Sequence, residues 1–184
     1  MIGTDNLAAK ITDLNQICII VHDIEKNMAL LWNTFGIGPW DIYIRDFKSK
    51  IDRESIREMT YHGKPAQFSY KMAITHNKIG GFSIELIEPV AGDNIYRDFL
   101  KEKGEGVHHI GWHEVDSQET FTATWKRFEQ KGFRCIMSGR VYNCAFAYFD
   151  TDKVLHTILE LVWRDNKKER PAPAMVFPEQ QPPF

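Results

Sequence analysis

Four short apolar segments of this chain form two echoing pairs, and that repetition limits what the chain can fold into. Gln16-Ile-Cys-Ile-Ile-Val-His-Asp23 and His109-Ile-Gly-Trp-His-Glu-Val-Asp116 each set a potential metal ligand seven residues before an Asp. Ser83-Ile-Glu85-Leu-Ile87 and Ile158-Leu-Glu160-Leu-Val162 each set one carboxylate inside a strand-like apolar run. Four strands can thus supply one amide, one imidazole and two carboxylates, two groups from each copy.

The order of elements around these segments is also repeated. Residues 16–21 are apolar and β-branched enough for a buried strand, and Asp23 can cap a helix with Ile24, Met28, Leu31, Trp32 and Phe35 on one face, ended by Gly36. In the second copy 107–115 reads as strand, Asp116 with Glu119 resembles a capping pair, and Phe121, Trp125 and Phe128 form the stripe before Gly132. Strand patterns follow each helix, at 42–47, 67–75 and 82–87 in the first half and at 134–137, 145–149 and 156–163 in the second. Each half reads as βαβββ. The expected fold is α+β, two βαβββ modules in one chain forming a cupped mixed sheet with helices packed outside. The modules span 14–91 and 105–163, and the helical pattern of Ile95, Tyr96, Phe99 and Leu100 in 92–104 links them. Residues 48–65 are charged and weakly patterned, and read as a lid, as an irregular strand pair over a binding site, or as an ordinary surface insertion. The stretch 164–184 carries five prolines, too many for a core of its own, and is expected to be mobile or to lie across another subunit.

Composition narrows the function. With 184 residues, 43% hydrophobic and 12% aromatic, the chain can bury a substantial core. A formal charge of -2 without a Lys/Arg block leaves no electrostatic footprint for nucleic acid or an anionic membrane, so small molecules are the expected partners. The three cysteines, Cys18, Cys135 and Cys144, are odd in number and lack a CxxC spacing, which argues against a disulfide framework or a thiolate zinc site. No apolar run approaches ~20 residues, and a cytoplasmic location is expected. Aromatic content and edge strands favour a homodimer; a single-chain mass at micromolar concentration would contradict that.

Alternate side chains of a strand share a face. Gln16 then lies with Cys18 and Ile20, His109 with Gly111 and His113, Glu85 with Ser83 and Ile87, and Glu160 with His156, Ile158 and Val162. The opposite faces are apolar and can pack under the helices, whereas His108 and Glu88 point away from the polar side. Two buried carboxylates need compensation, which a divalent cation supplies. Three oxygens and one imidazole nitrogen suit Zn, Ni, Co, Mn or Fe. Taken singly, each residue has a plainer reading: an edge cap for Gln16, a satisfied core histidine for His109, a solvated carboxylate for Glu85 or Glu160. The pairing of the four across two copies favours the metal. His113 and His156, with Tyr70 and Tyr148, are the candidate substrate-binding groups on the same faces; Lys71 and Tyr142 are further lining candidates.

With Gly106-Val-His-His-Ile-Gly-Trp112 and Ile84-Glu-Leu-Ile-Glu-Pro89, the chain resembles the vicinal oxygen chelate (glyoxalase/bleomycin resistance/dioxygenase) superfamily, over roughly residues 14–163. The two segments look like those of methylmalonyl-CoA epimerases. The resemblance implies metal ligation by Gln16, Glu85, His109 and Glu160, the set of ligand types seen in eukaryotic-type glyoxalase I enzymes. It also implies an enolate stabilised by the metal, with Glu160 as both ligand and base and Glu85 returning a proton. Recognition residues do not follow. The glutathione-gripping places of glyoxalase I hold Ile20, Pro89 and Glu105, and Gln67-Phe-Ser-Tyr-Lys-Met-Ala73 lacks the second acid of the epimerases.

The expected activity is therefore a divalent-metal-dependent epimerase or isomerase of a small carbonyl compound, a keto-sugar, cyclitol or acyl substrate. The competing readings are a glyoxalase-type lyase or dehydratase, an Fe(II) dioxygenase, and a metal-free binding module. Dioxygenase chemistry usually needs two histidines and one carboxylate, and Gln16 counts against it.

Overall fold

The computed structural model describes residues 11, 13–113, 115, 117–165 and 171–179, without the side chains of Ile51, Arg53 and His113. The first half opens with β1 (Gln16–Ile20), α1 (Ile24–Phe35) and β2 (Trp40–Arg45), passes through α2 (Lys50–Ser55), β3 (Ile56–Tyr61) and β4 (Lys64–Pro65), and closes with β5 (Ser69–Thr75) and β6 (Ser83–Ala91). A linking helix, α3 (Ile95–Lys103), leads to β7 (Gly106–His113), α4 (Gln118–Gln130), β8 (Cys135–Val141), β9 (Cys144–Phe149), α5 (Asp152–Leu155) and β10 (Ile158–Arg164), with β11 (Met175–Phe177) at the end. Among the described residues these strands form one mixed sheet, ordered β11-β2-β5-β6-β1-β7-β10-β9-β8-β3-β4. The fold is α+β.

The repeat governs the pairing. β1 runs parallel to β6 and β7 parallel to β10, while β1 and β7 pair antiparallel at the middle of the sheet. Each half therefore contributes the order of its first, last, third and second strands outward from the centre. Side chains from strands as distant in that order as β5 and β8 meet in one cluster, with Tyr70, Ile87, Cys18, Val162, Tyr148 and Met137 among its members. Only a sheet curled into a cup brings them together.

On the convex side, α1 begins where the Asp23 side chain accepts a hydrogen bond from the Lys26 N–H at 2.9 Å and ends at Gly36, left-handed at φ 67. Its buried Ile24 and Met28 pack on Val21, Trp40, Ala73 and Leu86, at about 1.5–3 kcal/mol for each fully buried side chain of this size. The apolar stripe is narrower than its sequence suggests, since Phe35 is 69% exposed. α4 buries Phe121 with Trp125 and Phe128 against Phe149, ring edges meeting faces. Its cap is Ser117, which accepts from the Thr120 N–H, while Asp116, expected to cap it, lies outside the described residues.

One connection takes a reading the sequence left open, and two depart from expectation. The 48–65 segment ends as an irregular strand pair: β3 pairs with β4 and, across a register shift, with β8 of the other half through Ile56↔Val141 and Tyr61↔Met137, where Ile56, Met59 and Tyr61 find an apolar surface. The C-terminal stretch, expected to be mobile or to reach another subunit, adds β11 to β2 of its own chain through Met175↔Ile42 and Phe177↔Trp40. The linking helix packs on β1, β6 and β7 with Ile95 and Tyr96 inside the cup, so it is not one of the outer helices. Among the described residues no helix is long and apolar enough to cross a membrane.

Candidate metal centre

The register across the middle of the sheet sets the site. Cys18 on β1 lies opposite Glu85 on β6 and opposite His109 on β7; one row away, Gly111 lies between Gln16 on β1 and Glu160 on β10. In each row the middle position carries a thiol or no side chain at all. Small groups at the middle let the longer side chains on either hand lean together.

They converge. The Gln16 Nε2 donates to Glu85 Oε2 at 3.0 Å and to Glu160 Oε2 at 3.3 Å, and His109 Nε2 stands 3.4 Å from each of the same two oxygens. Exposure is 1% for Gln16, 0% for His109 and 5% for each carboxylate. Two buried atoms, Gln16 Oε1 and His109 Nε2, make no hydrogen bond, in an interior where an unpaired polar atom is costly. A half-turn of the Gln16 amide exchanges its oxygen and nitrogen. The set then offers three oxygens and one imidazole nitrogen, which fits a divalent cation of the Zn, Ni, Co, Mn or Fe type. Without a cation, burial works against charge on His109, but its contacts with Glu160 and Glu85 outweigh it and raise the ring to about 9.

Cys18 Sγ, Glu85 and His109 also have ligand atoms within 4.8 Å of one another. Burial, followed by the charge of Glu85, pushes the Cys18 thiol well up. It stands as a neutral neighbour, consistent with a site that does not rely on thiolate.

Behind His109 lies a residue that strand alternation assigns to the other face. The β1–β7 register shifts between Cys18 and Ile19, so that Cys18 pairs with His109 but Ile19 with Val107, and His108 is the extra residue of a β-bulge. Its Nδ1 lies 2.8 Å from His109 Nδ1. Burial first, then the charge of His109, lowers the basicity of His108; a neutral His108 can accept the His109 Nδ1–H and leave Nε2 free for a ligand role. No composition or spacing signal marks a bulge here.

Three of the four convergent groups, Gln16, Glu85 and Glu160, line a cavity of about 150 Å³, with His109 fully buried behind them. Tyr70 and Tyr148 line it, as does Tyr96 from α3, read in the sequence only as part of a packing stripe. Tyr148 is the cross-strand partner of Glu160, and its hydroxyl meets that of Tyr96 at 2.8 Å. Burial raises all three phenols above their ordinary range, with the site carboxylates adding to it, so they remain hydrogen-bond donors. His156 is placed elsewhere: β10 starts at Ile158, and His156 sits exposed in a left-handed turn after α5. It borders a separate concavity with His62 and Asp150. The His113 side chain lies outside the described residues. Lys71 turns to the helical side, 2.9 Å from Glu25 and 3.4 Å from Glu88, and Glu88 accepts from the Ile24 N–H at the start of α1.

Comparison with known proteins agrees with this architecture. The family model of the Glyoxalase/Bleomycin resistance protein/Dioxygenase superfamily matches residues 15–148. No curated protein sequence matches the chain. Among solved structures, a methylmalonyl-CoA epimerase in complex with methylmalonyl-CoA and NH4+ superposes with a TM-score of 0.58 at 18% identity, covering 88% of this chain and 100% of that one. A Streptomyces coelicolor methylmalonyl-CoA epimerase variant in complex with 2-nitronate-propionyl-CoA gives 0.55 at 18%, over 85% and 99%. The methylmalonyl-CoA epimerase of Mycobacterium tuberculosis gives 0.56 at 16%, over 91% and 95%. Identities this low carry the fold and nothing finer. By its family match and its paired βαβββ halves, the chain belongs to the glyoxalase/bleomycin resistance protein/dioxygenase superfamily, the vicinal oxygen chelate fold.

Proposed function

We propose that this protein is an epimerase or isomerase of a small carbonyl compound and that it holds one divalent cation on Gln16, Glu85, His109 and Glu160. One observation carries the reading: four buried side chains from four strands converge, and two of their atoms, Gln16 Oε1 and His109 Nε2, make no hydrogen bond. When bound, the cation would supply Lewis-acid polarisation of a substrate carbonyl.

The chain's own groups would do the rest. Glu160 is the base that takes the proton from the carbon next to the carbonyl. Glu85 returns one. The two carboxylates come from strands on opposite flanks of the central β1–β7 pair, so they reach a substrate in the cup from different sides. Delivery to the same carbon inverts it, and delivery to the next carbon moves the carbonyl. The Tyr96 and Tyr148 hydroxyls, kept protonated beside Glu160, donate to substrate oxygens, and the apolar walls exclude competing water. Epimerases are found among the solved structures that share this fold, so the proposed reaction is one the fold can house.

A dehydratase is the second reading, favoured by the Tyr96–Tyr148 pair, which could protonate a departing hydroxide. The test is solvent deuterium uptake, followed by NMR across a panel of α-hydroxy ketones and 2-substituted acyl thioesters. The wild type should incorporate deuterium with carbon skeleton and oxygen count intact. Glu160→Gln should lower the rate by at least about a hundredfold with an unchanged circular dichroism spectrum. Full activity in that variant would remove Glu160 from its role, and loss of water from the product would select the dehydratase.

A further inference from the structure

The cleft contains two cations that the proton chemistry leaves unused. Arg45, the last residue of β2, is 8% exposed and lines the cavity. Its guanidinium stands over the Tyr43 ring at 5.1 Å and the Tyr142 ring at 5.2 Å. Arg164, the last residue of β10, lines the same cavity from the other half, its Nη1 donating to Asn143 Oδ1 at 3.4 Å. Tyr142 and Asn143 are neighbours in the turn between β8 and β9, so both arginines gather at one place. No described carboxylate pairs with either of them.

Aromatic contact has a limit as compensation. Stacking engages the flat faces of a guanidinium, whereas its N–H donors lie in the plane and point outward along its edge. Arg45 is thus packed on its faces and unspent at its edge, in a wall that otherwise carries Met72, Ile74, Val141 and Phe146. A buried cation in such surroundings calls for an anion. Held flat by its neighbours, the fork is already oriented to receive two oxygens of one group.

We infer that Arg45 and Arg164 form the recognition end of the cleft for a carboxylate or phosphate of the substrate, whose carbonyl reaches Gln16, Glu85, His109 and Glu160. This deepens the function proposed above and rests on it for the identity of the reacting end. Arg164 lies four residues beyond Glu160 on the same face of β10, on the order of 13 Å between Cα atoms. With both side chains reaching inward, that leaves room for a few carbons between carbonyl and anion. The substrate class is a short keto compound with an anionic end. A cavity of about 150 Å³ would leave any bulky carrier outside.

Binding to metal-stripped protein tests this independently of the chemistry. Calorimetric titrations with inorganic phosphate, glutarate and uncharged glutaramide, at constant ionic strength, compare phosphate, carboxylate and neutral probes. The inference expects at least one anion to bind about tenfold or more tightly than glutaramide. Arg45→Met and Arg164→Met should each remove about that factor, and the stronger anion names the source. Equal binding of anionic and neutral probes, or a preference that survives both substitutions, would overturn it. The comparison among probes needs no variant, so a misfolded substitution does not spoil it. Elemental analysis of the untreated protein separates the two ideas. Anion preference in a protein that takes up no metal keeps this inference and sinks the proposed function; metal uptake without anion preference does the reverse.

Discussion

His109 is held from both edges of its ring, with Nε2 facing two carboxylates and Nδ1 on His108. The contact at Nδ1 decides which nitrogen is free for a ligand. We expect His108→Leu to weaken divalent-metal affinity by about ten- to a hundredfold while the fold persists; competition with a chelating dye reads this, and unchanged affinity would show His108 to be packing only. Protonation gives a second prediction. An unfolded histidine titrates near ~6.5, whereas in the metal-free fold the carboxylates raise His109 to about 9. A raised value means that the fold holds the proton more tightly. That stability is fully present below about 6.5 and is lost as the pH climbs through about 9. The thermal midpoint of chelator-treated protein should fall across that window, and His109→Ala should flatten the fall; a midpoint that rose there would contradict the assignment. Alternation alone put Gln16, Glu85, His109 and Glu160 on the cup side, because pairing is regular through Gln16, Glu85 and Glu160 and from His109 onward along β7. His108 was unreadable because one extra residue in β7 breaks the period of two.

Elements position these residues through a few backbone constraints. Gly92, between β6 and α3, has φ 77, and a Cβ there would meet the Gln67 carbonyl oxygen at 2.2 Å and Phe68 Cα at 2.8 Å, both backbone. Gly104, past the other end of α3, has φ 80 but open space around it. With ψ -160 it occupies a backbone region open essentially to glycine alone, so Gly104→Ala should cost that backbone strain without a clash, roughly 1–3 kcal/mol. Gly92→Ala should cost clearly more, since main chain must move as well, and should carry Tyr96 out of place. Urea denaturation of the two variants checks the order, and equal losses would show that the close approach at Gly92 is not a constraint. The order of the eight paired strands and of α1, α3 and α4 was legible because each pattern ran long enough to set its period, whereas the short α2 and α5 and the strand β11 were not. The ends were less so: His156 fell to a turn because nothing in its neighbourhood distinguishes the last loop residue from the first strand residue. The inward docking of α3 was hidden too, since an apolar stripe does not say which side of a sheet it will cover.

Among the described residues the sheet is a twofold repeat of four strands to which β3, β4 and β11 are added asymmetrically. The repeat places one carboxylate in each half and sets Gln16 and His109 on the two central strands, which is why four residues far apart in sequence were readable as a set. The additions, β3 against β8 and β11 against β2, follow no repeat; a strand pair was one of several open readings of 48–65, and nothing marked a strand in the Pro-rich tail. Their pairings depend on edges that exist only once the sheet has formed. The arginine pair was equally hidden, since Arg45 and Arg164 meet only through the curl of the cup.

If Gln16, Glu85, His109 and Glu160 hold a metal, elemental analysis of tag-free protein, run beside Glu85→Ala and Glu160→Ala, will show it. Close to one divalent ion per chain is expected in the wild type, with a marked fall in both variants. A wild type that takes up no metal even after incubation with Zn, Ni, Co, Mn and Fe(II), or variants that retain it in full, would contradict the metal assignment.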